Sequence, residues 1–364
     1  MSAPASPKAG FLASGGWVVV AALVVCTLAF AYYAFDIVGH RGSRAIGDGR
    51  HVESYGFALD PCLVRGDLIA ASGMPKDGLP ALVEPAAWTV AQADAATRPR
   101  KFLVPGDRVI GVRVGGQARA YPLRVLVWHE AANDTLAGQP ILVTYNPLCD
   151  SAAVFRREIA GHARVFAFSG LLYDSNLLAY ERRPAQTGES LWSQLLFRAV
   201  TGPSAAAGET LEVLPISVAS WSDWKRENPG TTVLAPNERL LEQYSRDPYT
   251  SYFGSDRLRF PVQPLPSPAL YPLKTPVVAL GGPGGWTAFP FPVVASLAQT
   301  PPPPCAPWAA LASALTYHTQ GPTVTVATDR LPPGTGVVYA SYFAWFATHN
   351  GGTTWAGAAA AHAN

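Results

Sequence analysis

Val109-Ile110-Gly111-Val112-Arg113-Val114-Gly115-Gly116-Gln117-Ala118-Arg119-Ala120-Tyr121-Pro122 decides the fold class. Two short β-forming runs flank a Gly-Gly pair, and glycine supplies the positive φ that a two-residue hairpin turn needs. The stretch therefore reads as a β-hairpin. The pattern returns without a gap 168 positions further on, at Val277-Val278-Ala279-Leu280-Gly281-Gly282-Pro283-Gly284-Gly285-Trp286-Thr287-Ala288-Phe289-Pro290. A second echo keeps the same order: Tyr339-Ala340-Ser341-Tyr342-Phe343-Ala344-Trp345 follows Val218-Ala219-Ser220-Trp221-Ser222-Asp223-Trp224. Two ordered echoes predict a duplicated β-rich unit whose second copy is shortened and interrupted at Pro301–Pro304.

Other segments agree with a β-rich body. Ile141-Leu142-Val143-Thr144-Tyr145 is β-branched and apolar, a buried strand. Val154–Ile159 and Ala163–Phe168 read as another hairpin around Gly161-His162. Ser220 precedes Trp221 with Asp223 at the third position, the start of a short helix. Charged residues are only 14% against about 25% in typical domains, and the chain holds 33 Gly and 34 Pro. The expected fold class is mainly β (β-rich α+β): two related β units, the second degenerate, behind one N-terminal transmembrane helix.

That helix is expected at Trp17–Phe35, a run without charge. At about 1.5 Å per residue it spans roughly 28 Å, close to the hydrocarbon thickness of a bilayer. Trp17, Tyr32 and Tyr33 stand at its ends, where amphipathic rings favour the headgroup layer. Ala29-Phe30-Ala31 leaves signal cleavage after Ala31 open. Lys8 on one side, against Arg41, Arg44 and Arg50 on the other, favours an inside body by the positive-inside count. A short tail before a long domain favours the exported side, and we expect the latter. The expected division is a tail over 1–16, the anchor over 17–35, a tether over 36–60, a first unit over 61–265, a second over 266–355 and an Ala-rich tail over 356–364. The formal charge of +2 without a dense basic run excludes a nucleic-acid footprint. The expected partners are the membrane, through 17–35, and a protein at its surface.

Several ordered blocks resemble the domain-of-unknown-function 3179 family. They are Gly73–Leu82, Ala118–Leu123, His129-Glu130 with Asn133-Asp134, Thr144–Ser151, Ser169–Tyr173, Ser190–Gln194 and Tyr244–Tyr249. The resemblance is strongest over 60–265. It implies a mostly bacterial or archaeal protein, often exported, with no established activity to transfer. Members commonly carry Cys-Pro-Leu-Cys where this chain has Asn146-Pro147-Leu148-Cys149. An internal redox disulfide across that motif is thereby impossible here, and a thiolate-rich metal site is weakened.

The resemblance also places His129, Glu130, Asp134, Asn146 and Cys149 in one neighbourhood. His and Cys are natural ligands for zinc or copper, and Glu130 or Asp134 could complete the shell. The same residues also read as a nucleophilic pair. Cys149 would attack, His129 would act as base, and Asp134 or Asn133 would orient it. A third reading is structural: His129 and Asn133 brace the loop and Cys149 is a small buried hydrophobe. Ser169–Asn176 either lines a pocket beside Cys149 or forms a turn between strands, and Asp174 and Glu181 are acid/base candidates only in the generic sense. Trp192, Trp221 and Trp224 are expected in the core. The second copy has Ala295-Ser296-Leu297-Ala298 where the first has His129 and Glu130, so any chemistry belongs to the first. A lost cysteine, an eroded repeat and the Ala-rich tail favour a non-enzymatic scaffold as the alternative. Among the four cysteines Cys26 lies in the anchor, and the pairing of Cys62, Cys149 and Cys305 is open.

Overall fold

The runs expected as strands at 109–114, 117–122 and 141–145 each form one, and the last is buried on both faces. The computed structural model describes Val18, Thr27 and residues 45–357, except 97–100, 184–187, 298, 304–305, 320 and 350–352. The chain divides into two compact units, Met1–Ala45 and Ile46–Asn364. The expected anchor lies outside the described residues apart from Val18 and Thr27, which are helical. Among the described residues no helix is long and apolar enough to cross a membrane. The second unit is β-rich with few, short helices, such as Leu123–Leu126, Trp221–Glu227 and Tyr342–His349.

The first hairpin pairs Arg108–Val114 with Gln117–Pro122, from Val109↔Pro122 to Val114↔Gln117. Gly115 and Gly116 have φ of 53° and 79°, the two positive values of a type I′ turn. The second hairpin pairs Pro276–Gly282 with Gly285–Pro290, from Val277↔Pro290 to Gly282↔Gly285. Both registers are therefore the same once shifted by 168. Ile216–Ser220 joins the first hairpin antiparallel, with Ser220 opposite Arg108. Gly336–Ser341 joins the second in the matching place, with Ser341 opposite Pro276. A parallel strand closes each set: Thr232–Leu234 beside Gln117–Pro122, and Thr353–Trp355 beside Gly285–Pro290. The indole of Trp224 donates to Thr231 at 2.9 Å, and that of Trp345 to Thr353 at 3.2 Å.

The two sets do not sit in one sheet. The first, with Ala87–Thr89, forms a five-stranded sheet. The second forms half of a nine-stranded sheet, whose other half includes Leu82–Val83, Ala131–Leu136, Gln139–Asn146 and Ser151–Arg156. Strands from both sides of position 265 therefore share one sheet. The halves pair at Tyr339↔Ala152, flanked by backbone hydrogen bonds from Ser341 to the Cys149 carbonyl at 2.7 Å and from Val337 to the Leu214 carbonyl at 3.5 Å. Along Gln139–Asn146, Ile141, Val143 and Tyr145 enter one core while Leu142 enters another. Val337 and Tyr339, against Val338 and Ala340, divide in the same way. Side chains alternate across a strand, so a strand covered on both faces must be apolar throughout. Trp192, Trp221 and Trp224 are each core residues, about 1% exposed.

One expected hairpin is corrected. Between Val154–Ile159 and Ala163–Phe168 only His162↔Ile159 and Ala163↔Glu158 pair. The flanking strands, Ser151–Arg156 and Phe166–Tyr173, enter different sheets. The break falls at Arg157, which is buried and donates through its guanidinium to the carbonyls of Asp134 at 3.3 Å and Arg164 at 3.1 Å.

Candidate functional site

Gln139–Asn146 ends at a four-residue turn, Pro147 to Asp150, before Ser151–Arg156 returns with Asn146 opposite Ser151. The Asn146 side chain holds this turn. Its Oδ1 accepts from the Cys149 backbone N–H at 3.2 Å, and its Nδ2 lies 3.4 Å from both oxygens of Glu130. An amide both accepts and donates, so Asn146 serves the backbone and a buried acid together.

Cys149 is fully buried, and its thiol donates to the Ser175 carbonyl at 3.3 Å. Burial pushes the thiol up, so it stays protonated and un-nucleophilic at neutral pH. Cys149 and exposed Cys62 are both free thiols. Asp174 and Ser175 have φ of 49° and 66° and form the tight turn of the Phe166–Tyr173 and Asn176–Glu181 hairpin. The Ser169–Asn176 block is thus both a turn and a neighbour of Cys149.

His129 faces elsewhere. Its Nδ1 donates to the Pro80 carbonyl at 2.7 Å, which fixes the tautomer and leaves Nε2 to accept from the Tyr244 hydroxyl at 2.8 Å. Burial holds the imidazole below its ordinary pKa, and it is neutral. With both nitrogens committed, it makes no hydrogen bond to Cys149. Glu130 is buried with a φ of 54°, a strained conformation for a side chain of its size. Desolvation pushes its carboxyl up to about 8 against the pull of Asn146. Asp134 points to a different place: Arg119 at 2.6 Å and the Tyr121 hydroxyl at 2.7 Å hold it and tie the first hairpin to the nine-stranded sheet. Asn133 braces the strand, with Nδ2 donating to the Phe166 carbonyl and Oδ1 accepting the Phe166 N–H, both at 2.8 Å. Neither residue can orient His129. Among the described residues no group of three or more His, Cys, Asp or Glu side chains could hold a metal ion. Of the four expected ligands, His129 is turned to Pro80 and Tyr244, Cys149 to Ser175, Glu130 to Asn146 and Asp134 to Arg119 and Tyr121.

Other blocks do converge. Asn176 Nδ2 donates to Ser151 Oγ and Gln194 Oε1, both at 2.9 Å, and Gln194 Nε2 donates to Thr144 Oγ1 at 2.9 Å. Glu181 accepts from the Trp192 indole and from Ser204, which makes it a structural acceptor. These buried networks tie the strands behind the turn together, though Asn176 Oδ1 has no hydrogen-bond partner of its own among the described residues.

In front of the turn lies a cleft of two joined lobes, about 450 and 350 Å³. Tyr145 and Pro147 from the turn strand line the smaller lobe. Tyr244, Ser245 and Arg246 line both, and Asp247, Tyr249 and Phe253 extend the wall of the smaller. Three guanidiniums border this space. Arg108 Nη1 donates to both Asp150 oxygens at 3.1 Å. Arg124 Nη1 donates to the Phe102 carbonyl at 2.6 Å and pairs with Asp107 at 3.2 Å. Arg246 Nη2 pairs with Glu242 at 2.6 Å. Each is aimed through one terminal nitrogen, and a guanidinium has five N–H donors, so most remain for a ligand. Asp247, the remaining acid of the wall, accepts the Tyr249 N–H at 2.8 Å. Burial raises the Tyr244 and Tyr249 hydroxyls to about 12, so both stay neutral donors.

Reading the sequence missed this cleft. The Tyr244–Tyr249 block carried part of the family resemblance, but no chemistry was attached to it. Arg108 and Arg124 stand immediately outside the hairpin that was read for its fold alone.

No curated protein and no solved structure matches the chain. A family model, that of the DUF3179 proteins of unknown function, matches residues 76–356. That match covers more than three quarters of the sequence and includes the turn, the buried networks and most of the cleft wall, and by it the chain belongs to the DUF3179 family.

Proposed function

We propose that this protein is a membrane-tethered binding protein whose DUF3179 body takes a small anionic ligand in the two-lobed cleft. The observation that carries the reading is the trio of Arg108, Arg124 and Arg246. Each is oriented by a single nitrogen, and all border one concave space. Fixed guanidinium forks recognise carboxylates and phosphates with geometry as well as charge. The exposed Arg246–Glu242 pair is worth only about 0–1 kcal/mol, so a ligand can compete for it at small cost. Thiol catalysis has less support, because Cys149 is buried, protonated and without an imidazole partner.

The matching registers and the repeated Trp–Thr hydrogen bond favour a duplicated unit whose second copy lost the site. Phe291–Leu297 follows the second hairpin where Leu123–Leu126 follows the first, and it carries no acid or imidazole.

Titration calorimetry of the detergent-solubilised full chain with citrate and glucose 6-phosphate tests the cleft. We expect saturable binding that Arg246→Ala and Arg124→Gln each weaken about tenfold, or roughly 1.4 kcal/mol. Binding of neither probe up to about 10 mM, or binding indifferent to both substitutions, would reject the reading.

A further inference from the structure

The cleft has a waist. Arg124, Tyr244, Ser245 and Arg246 line both lobes, whereas Lys101 lines only the larger and Arg108 only the smaller. Each lobe thus has a cation of its own and shares two guanidiniums with the other, beside the acids Glu242 in the larger and Asp107 and Asp247 in the smaller. The waist is held from behind. Tyr244 donates to His129 at 2.8 Å, Ser245 donates to the Glu242 carbonyl at 2.6 Å, and Arg124 donates to the Phe102 carbonyl at 2.6 Å.

We infer that the ligand carries two anionic groups on one small body, one group seated in each lobe across the Arg124–Arg246 waist. This rests on the cleft being the binding site. A ligand with one anion would engage the waist and one flanking cation, leaving the other flanking cation unused. A ligand with two would engage all four cations, and its second contact would form without a further loss of translational freedom. The lobe volumes suit metabolite-sized bodies, since ligand pockets run from about 300 to 1,000 Å³. The apolar walls, Leu123 and Val127 beside Tyr145, give the scaffold between the anions a surface to lie on.

Calorimetry on the full chain would compare one-anion probes, glucose 6-phosphate and glycerol 3-phosphate, with two bisphosphates of different span, 2,3-bisphosphoglycerate and fructose 1,6-bisphosphate. The expected result is that at least one bisphosphate binds about tenfold or more tightly than either monophosphate. Lys101→Ala should bring that ratio close to one. Equal affinities in the wild type, or a ratio that Lys101→Ala leaves intact, would overturn the two-anion inference while leaving the cleft as a site. Failure of every probe to bind would instead remove the cleft reading itself.

Discussion

Asn146 ties the turn to Glu130 through two contacts of 3.4 Å, and that weak grip has a thermodynamic signature. In the unfolded chain the Glu130 carboxyl loses its proton near the ordinary 4.5, whereas in the folded chain it holds the proton up to about 8. Between those values the folded state binds the extra proton, so stability falls as pH rises, by up to about 1.4 kcal/mol per pH unit. Below 4.5 both states are protonated and above about 8 neither is, so the slope from this group vanishes at both ends. Urea unfolding from pH 4.5 to 8.5 should therefore show a decline that Glu130→Gln flattens, and an undiminished slope in the variant would refute this assignment. The sequence singles out His129, Glu130 and Cys149, and all three are buried, but it attaches no chemistry to Arg108, Arg124 or Arg246. The partners of the buried residues were not legible. Tyr244 is 115 positions from His129 and Ser175 is 26 from Cys149, and no local spacing encodes which chain segment returns to meet a side chain.

The hairpins were legible because a two-residue glycine turn and a period of two are local properties. Sheet membership was not, because it depends on what covers each face. The Val154–Phe168 region has the composition of a hairpin, yet only a two-pair hairpin forms and its flanking strands enter separate sheets, with buried Arg157 at the break. Gly111 marks another point where packing, not turn chemistry, chose the residue. A Cβ there would come within 2.2 Å of the Trp224 ring. That ring is buried and held by Thr231, and Arg113 lies 5.2 Å from its centre. Gly111→Ala should cost about 1–3 kcal/mol by overpacking, readable as a lowered denaturation midpoint. A midpoint equal to wild type would show that Trp224 moves freely. Gly116→Ala, where nothing lies within 4 Å, isolates the cost of the positive φ alone.

For the molecule as a whole, the proposed tether over the uncharged run 17–35 would set where the proposed cleft works. A ligand-binding body on a tether samples solutes within a short distance of the bilayer rather than the whole compartment. The full chain should stay with membranes through an alkaline carbonate wash and leave only in detergent. A variant lacking residues 17–35 should be recovered in the soluble fraction. A wild-type chain that washes off, or a shortened one that still pellets, would reject the tether.

The seam at Tyr339↔Ala152 has a consequence for how the molecule comes apart. With one residue pair and two flanking backbone hydrogen bonds joining the two halves of the nine-stranded sheet, the ladder alone would hold them by a short stitch. Both cores, however, extend across the join: Val154 and Val337 share one, Phe155 and Val338 the other. Parting the halves would flood two apolar layers at once, so the seam is a line of weak hydrogen bonding without being a line of weakness. Thermal motion should open the body as a whole or not at all there, so the strands beyond position 265 are indispensable as a wall.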